Sequence, residues 1–201
     1  MRVTRISLVR HGQTDWNLTR RIQGSSDIPL NDTGRAQARV AGEILRRRHW
    51  DAIYTSPLGR ARETAEIIAS ETGLQPPTPV AGVEERNYGE AEGLTGEQIL
   101  DRYPDGTEIP GKESRDAVVQ RAVPALLALA ERHPDEDIVV VSHGAVISSL
   151  VRKLSDHTLP PPGEVIANGS IHDFSVQDGQ LRLDRFNASE DDHDLFTAAV
   201  S

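Results

Sequence analysis

Two rhythms of apolar residues run along the chain, short unbroken runs and longer stretches with apolar positions three or four apart, and they alternate as strands and helices do. Ile6-Ser7-Leu8-Val9 marks a strand over 3–9. A loop through Asp27-Ile28-Pro29-Leu30 leads into a helix from about Thr33 to Arg48, with Asn31 as its N-cap and Val40, Ala41, Ile44 and Leu45 on its buried face. Ala52-Ile53-Tyr54-Thr55 reads as the next strand, and Ser56-Pro57 as the N-cap and first residue of a helix reaching about Thr72. Gln75-Pro76-Pro77-Thr78-Pro79 breaks the pattern and leads through a short strand to Glu84-Glu85. Helices at about 95–102 and 114–133 precede a strand over 138–141, and another helix follows over about 145–154. At the end, Ser170–Val176 and Gln180–Phe186 alternate around Asp178-Gly179, a two-residue hairpin signal.

Strands alternating with helices predict an α/β fold. The 201 residues carry this pattern without an internal repeat or a long linker, which suits a single domain over 1–201, large enough to bury a core. Residues 188–201, with Glu190-Asp191-Asp192-His193-Asp194, read as a flexible acidic tail. No segment has the length and apolarity to span a bilayer, and the first residues lack the apolar core of a signal peptide, so a cytoplasmic protein with no membrane partner is expected. The sequence has no cysteine, which excludes disulfides, thiolate catalysis and cysteine metal sites.

Charge narrows the partners. Residues 1–62 hold 12 arginines against 5 acids, whereas the remainder holds 10 basic residues against 26 acids, for a net −9. An acidic chain of this kind argues against a nucleic-acid partner, which would need a broad basic face, and Arg46-Arg47-Arg48 reads as a solvated helix face.

Two of the apolar runs end alike. Ile6–Val9 delivers Arg10-His11-Gly12 and Ile138–Val141 delivers Ser142-His143-Gly144, so two strands of one sheet release a histidine at their carboxyl ends, where open α/β sheets place their sites. The glycine after each histidine removes a side chain and lets backbone N–H groups approach a ligand, and a helical pattern follows the second directly. An anion is the expected ligand. A lone strand-end histidine more often satisfies local hydrogen bonds, but the repetition weighs against that reading. Metal binding by His11, His143 and His172 is the rival. No histidine pair has the close helical spacing of zinc sites, and no metal or other cofactor is expected.

Further blocks stand in order between and around the histidines. The first continues as Gln13-Thr14-Asp15-Trp16-Asn17, and Ser56-Pro57-Leu58-Gly59-Arg60-Ala61-Arg62-Glu63-Thr64-Ala65 and Glu85-Arg86-Asn87-Tyr88-Gly89-Glu90-Ala91-Glu92-Gly93 follow. With these blocks the chain resembles the histidine phosphatase superfamily, the phosphoglycerate-mutase-like fold, from about Val3 to Asn187. The resemblance implies a three-layer α/β/α sandwich with a mostly parallel sheet and a C-terminal hairpin.

It also implies roles. His11 matches the nucleophile, a neutral imidazole that attacks phosphorus to give a phosphohistidine which water later cleaves. Arg10, Arg60 and His143 match the phosphate pocket, where two forked guanidiniums suit the oxygens of a transferring phosphoryl group. Asn17 matches a further neutral donor, and Gly144 is expected to lend its N–H from a helix N-terminus. Arg20-Arg21-Ile22-Gln23-Gly24 resembles the segment at the pocket rim, which makes Gln23 and Gly24 candidate phosphate contacts. The acid stands four residues before the glycine that closes its block, which selects Glu85 over Glu84. To donate a proton near neutrality its pKa must be raised by burial and by the substrate's charge.

The expected reaction is hydrolysis of small phosphorylated metabolites. A cofactor-dependent phosphoglycerate mutase and a catalytically inactive phosphate- or protein-binding module are the alternatives. Arg86 and Tyr88 match the mutases too. Mutases carry next a longer insertion that clamps the substrate carboxylate, whereas this chain has only Asp101–Ser114, with Arg102 and Lys112 as its cations; Arg20, Arg21 and Arg86 are partial replacements. Neither the particular ester nor the oligomeric state follows from the sequence.

Overall fold

Successive residues of the first strand point to opposite faces, and both faces are covered. In the computed structural model, which describes residues 3–188, Ile6 and Leu8 pack into one core and Val9 into another. The elements run β1 (Val3–Arg10), α1 (Asp15–Leu18), α2 (Asp32–Leu45), β2 (Ala52–Thr55), α3 (Gly59–Thr72), β3 (Thr78–Pro79), a 3-10 turn at Gly89–Ala91, α4 (Gly96–Arg102), α5 (Arg115–Arg132), β4 (Asp137–Ser142), α6 (Gly144–Leu154), β5 (Ile171–Gln177) and β6 (Gln180–Arg185).

The sheet has the order β3-β2-β4-β1-β5-β6. The first four strands are mutually parallel, β5 runs antiparallel to β1, and β6 returns beside it across the Asp178-Gly179 turn. On one face, Val118, Ala122 and Leu126 of α5 and Ile147 and Leu150 of α6 meet Ile6, Ile138, Val140 and Phe174. On the other, Ala41 and Leu45 of α2 and Ala61, Ala65 and Ile68 of α3 meet Val9, Ile53, Val139 and Val141. The result is the three-layer α/β/α sandwich with a mostly parallel sheet and a terminal hairpin that the sequence implied. No described helix is long and apolar enough to cross a membrane. The acidic run 190–194 lies outside the described residues.

Three local expectations change. Val40 is 54% exposed, because the buried stripe of α2 runs through Gly34, Ala38, Ala41, Gly42 and Leu45 instead. Ser56 is not the cap of α3, which starts at Gly59 after an extended Leu58; the Asp27 carboxylate accepts the Gly59 N–H at 2.8 Å. Gly12 does not offer its N–H to a ligand: that N–H donates to Thr64 Oγ1 at 3.1 Å. What requires glycine there is the start of α2, since a Cβ on Gly12 would lie 2.2 Å from the Gly34 carbonyl oxygen.

The remaining element ends fall within a few residues of expectation. Asn31 caps α2 as its sequence position indicated, Oδ1 accepting the Gly34 N–H at 2.9 Å. The short helix α1 was not foreseen; Thr14 and Asn17 close it in a reciprocal capping box.

Candidate active site

The parallel pairing of β1 and β4 places Arg10 opposite Ser142, so the residues that follow each strand emerge side by side. The His11 N–H donates to the Ser142 carbonyl at 3.0 Å, and the His11 and His143 rings lie 5.1 Å apart between centroids. Both imidazoles are buried.

His11 has its two nitrogens in different states. Nδ1 is 2.7 Å from the Gly12 carbonyl oxygen, an acceptor only, so Nδ1 carries the proton and donates. Nε2 is left with its lone pair, and Arg60 Nε donates toward it at 3.3 Å. Burial, then the charges of Arg10 and Arg60, holds the His11 pKa well below the ordinary histidine value, with the Gly12 bond opposing. The ring is therefore neutral across the physiological range.

Arg60 is brought beneath His11 by the first turn of α3 and is fully buried. Its guanidinium is fixed by two carbonyls of the preceding loop, NH1 donating to Ser26 at 2.9 Å and NH2 to Gly24 at 2.8 Å. Thr64, one turn along, ties the helix to the strand end: its hydroxyl donates to the Arg60 carbonyl at 2.8 Å while accepting the Gly12 N–H. Arg10 donates through NH1 to the Ile166 carbonyl, and its Nε is buried without an acceptor. Burial lowers the pKa of both arginines, with Glu85 opposing. Two guanidiniums thus sit beside His11 with no carboxylate in direct contact among the described residues.

Two more donors are orphaned in the same place. His143 Nδ1 and Gln23 Nε2 are buried and have no partner, although His143 Nε2 meets Ser56 Oγ at 2.8 Å and Gln23 Oε1 accepts the Thr14 hydroxyl at 2.7 Å. Buried polar atoms without a protein partner beside a neutral imidazole suit an anionic ligand. Asn17 adds its amide. Its Oδ1 takes the Thr14 N–H at 3.1 Å and Asn168 Nδ2 at 3.2 Å, while Nδ2 has no acceptor among the described residues.

Gly144 opens α6 beside this group, and its lack of a side chain makes room for Arg10, whose Nε would be 3.1 Å from an added Cβ. Gly24 behaves differently from expectation. Its N–H goes to Glu92 Oε1 at 3.3 Å and its carbonyl to Arg60, so both its polar groups are used inside the protein and it positions Arg60 without facing the cavity.

The two adjacent acids part company. Glu85 Oε1 accepts the N–H groups of Arg86 at 2.8 Å and of Ala145, in the first turn of α6, at 3.2 Å. Burial raises its pKa against the pull of those bonds and of Arg60 and Arg10. Glu84 accepts the Gly82 N–H at 2.7 Å and lies 3.8 Å from Arg121, facing the neighbouring cleft.

A cavity of about 630 Å³ is lined by His11, Arg10, Asn17, Gln23, Glu85 and Gly144 among others; Arg60 and His143 are not on its wall. Arg20 and Arg21 are on its wall, whereas Arg86 is not; its Nε donates to the Glu113 carbonyl at 2.6 Å. Arg102 and Lys112 are also absent from the wall, Arg102 being paired with Glu90 at 2.9 Å. His172 is separate from the site: its nitrogens meet Ser170 Oγ at 2.9 Å and the Asn187 N–H at 3.2 Å.

Several residues here carried no sequence signal that was used. Ser56 read as a helix cap, and Asn168, Arg115, Ser148 and Arg152 were not singled out, yet all four of the latter line the cavity. The one available hint was the spacing Gly144, Ser148, Arg152, which puts three polar or small residues on one face of α6.

Comparison with known proteins agrees with this geometry. A family model for the histidine phosphatase superfamily (branch 1) matches residues 6–189. The chain is 37% identical over 185 residues to the uncharacterized phosphatase PhoE of Bacillus subtilis, covering 92% of this chain and 95% of that protein. It is 32% identical over 197 residues to a 2,3-bisphosphoglycerate-dependent phosphoglycerate mutase of Cytophaga hutchinsonii, covering 92% and 88%. Among solved structures, the mycobacterial glucosyl-3-phosphoglycerate phosphatase superposes with a TM-score of 0.81 at 32% identity, over 94% of this chain and 100% of that one. The chain belongs to the histidine phosphatase superfamily, branch 1, and is an enzyme acting on phosphate esters.

Proposed function

We propose that the chain hydrolyses small phosphorylated metabolites through a phosphohistidine on His11, with neither metal nor cofactor. The observation that carries this reading is the state of His11: proton held on Nδ1 by Gly12, lone pair on Nε2, and orphaned donors from Arg10, Gln23 and His143 gathered around it. A bound phosphoryl group would occupy those donors and displace the Arg60 Nε contact from the lone pair. Nε2 then forms a bond to phosphorus as the ester P–O bond breaks, and the guanidiniums and His143 stabilise the charge on the equatorial oxygens. Glu85 gives its proton to the departing alkoxide. In the second half, water loses a proton to the Glu85 carboxylate and attacks phosphorus, returning His11 neutral and releasing phosphate.

Water as the acceptor is favoured over a second phosphoglycerate by the cover. Residues 101–114, where the mutases carry their longer segment, contribute nothing to the cavity wall. A site closed less completely admits water to the phosphohistidine. The complete donor set also speaks against an inactive binding module.

The test is chemical. Turnover of an ester stopped with alkali should trap a phosphoryl-enzyme that is stable to base and labile to acid, and His11→Ala should trap none; equal labelling of that variant removes His11 from the mechanism. Activity should survive thorough chelation. Incubation with 3-phosphoglycerate and catalytic 2,3-bisphosphoglycerate should give little 2-phosphoglycerate. Efficient isomerisation alongside phosphate release orders of magnitude slower would make the chain a mutase.

A further inference from the structure

Away from the phosphate pocket, the same cavity has a second positive end. Its wall includes Arg115 and Arg152, and neither has a carboxylate partner in the described residues. Arg115 NH1 donates only to hydroxyls, Ser148 Oγ at 2.8 Å and Ser149 Oγ at 3.2 Å. Arg152 has no side-chain hydrogen bond within the described residues, and its Nε is buried without an acceptor. Desolvation, followed by the charges of Arg86 and Arg152, lowers the Arg115 pKa, with Tyr88 and Glu85 opposing.

The placement of Arg115 is locally unfavourable. It is the first residue of α5, where the helix dipole repels a cation, and a serine or an acid would serve that turn better. Of the two carboxylates on the cavity wall, Glu85 is bound to the Arg86 and Ala145 N–H groups, and Glu164 accepts Asn187 Nδ2 at 2.6 Å. Five arginines face these two acids around one cavity. A single phosphoryl group, held at the His11 end, leaves the Arg115–Arg152 end unneutralised.

We infer that Arg115 and Arg152 form a second anion subsite, which selects phosphate esters carrying a further acidic group, carboxylate or phosphate, several bonds from the ester. Helix α6 sets the spacing. It begins at Gly144 in the phosphate pocket, and at 1.5 Å per residue Ser148 lies about 6 Å and Arg152 about 12 Å farther along the axis. Helical side chains lean toward the N-terminus, so the Arg152 guanidinium reaches back over the turn at Ser148.

This inference rests on the phosphatase reading, and one experiment separates the two. The substrates are phosphate monoesters of ω-hydroxy carboxylic acids with chains of increasing length, each paired with its neutral amide. Wild type should prefer acid over amide by about tenfold or more in kcat/KM at one chain length, as a charge-assisted bidentate contact implies. In Arg115→Gln and Arg152→Leu the acid-over-amide ratio should fall toward one. Equal rates on acid and amide at every length, or a ratio unchanged in both variants, overturns the subsite. The matched carboxyalkyl and carbamoylalkyl phosphonates, titrated by calorimetry, give the same ratio as binding constants. If no ester is turned over, the phosphatase reading fails, and the calorimetric ratio still decides the subsite.

Discussion

Ser56 Oγ lies 2.8 Å from His143 Nε2 and accepts the Leu58 N–H at 3.3 Å. With Nε2 as acceptor, neutral His143 must carry its hydrogen on Nδ1, the nitrogen that is buried without a partner. In the proposed mechanism Ser56, donating to Nε2, is a positioning residue that makes His143 a donor for the phosphoryl oxygens. Ser56→Ala should lower kcat by at least about tenfold through the wrong tautomer, with a smaller change in KM. The Nδ1–H state of His143 is read directly from ¹⁵N shifts of labelled protein; the same tautomer in wild type and variant removes this role.

Glu85 and Glu84 should separate by leaving group. A proton donor matters most when the departing oxygen is a poor leaving group, so Glu85→Gln should slow alkyl phosphates by about 10²-fold or more and an activated aryl phosphate far less. Glu84→Gln should have little effect on either. Equal losses on both substrate types would make Glu85 a support for α6 through its bond to Ala145.

The pH profile follows from the same pair. The proposed mechanism needs His11 neutral and Glu85 protonated. Burial and the two arginines depress His11, so the acid limb of kcat/KM should fall below the ordinary histidine value of about 6.5. Burial raises Glu85, so the alkaline limb for alkyl esters should lie above the usual carboxylate range. Comparing wild type with Glu85→Gln on one substrate cancels the substrate's own ionisation. The variant should lose the alkaline limb.

Asp27 tests how the first turn of α3 is held. Its carboxylate accepts the Gly59 N–H at 2.8 and 3.0 Å, one residue before Arg60. Asp27→Ala should destabilise the fold by about 1 kcal/mol, as removal of a helix cap does, and should reduce kcat/KM by loosening the turn that carries Arg60. Asp27→Asn keeps an acceptor and should recover most of the stability in denaturant titration.

His172 gives a pH signature of folding. Burial pushes its pKa down to about 4, while an unfolded histidine titrates at about 6.5. Between these values the unfolded chain binds the extra proton. The stability tied to this ring is therefore complete above about 6.5 and is lost as pH falls toward 4, on the order of 3 kcal/mol in all. A ring titration by NMR in the folded protein should show a midpoint near 4; a midpoint near 6.5 rejects the assignment.

The frame of the site was legible because strand ends are written locally. The apolar runs before His11 and His143, and the glycine after each, are contiguous features, and parallel pairing then brings the two histidines together. What remained hidden depends on contacts across the fold. Ser56 precedes a proline as helix caps do, yet Asp27 from a distant loop takes the Gly59 N–H and frees the serine for His143. Arg115 and Arg152 are 37 positions apart and share a wall only because α5 and α6 pack on the same face of the sheet. Val40 fits the helical period of α2, but the small residues Gly34, Ala38, Ala41 and Gly42 are what that helix turns inward.

The buried nitrogens around His11 bear on stability as well as on binding. Arg10 Nε, Gln23 Nε2 and His143 Nδ1 have no protein partner among the described residues, so an anion that bonds to them would stabilise the folded chain. Product phosphate or vanadate should therefore raise its melting temperature, in step with its occupancy of the site. Conversely, Gln23→Leu, which removes one unsatisfied amide, should make the free protein melt higher while weakening its grip on phosphate, a direct exchange of rigidity for affinity at a single position.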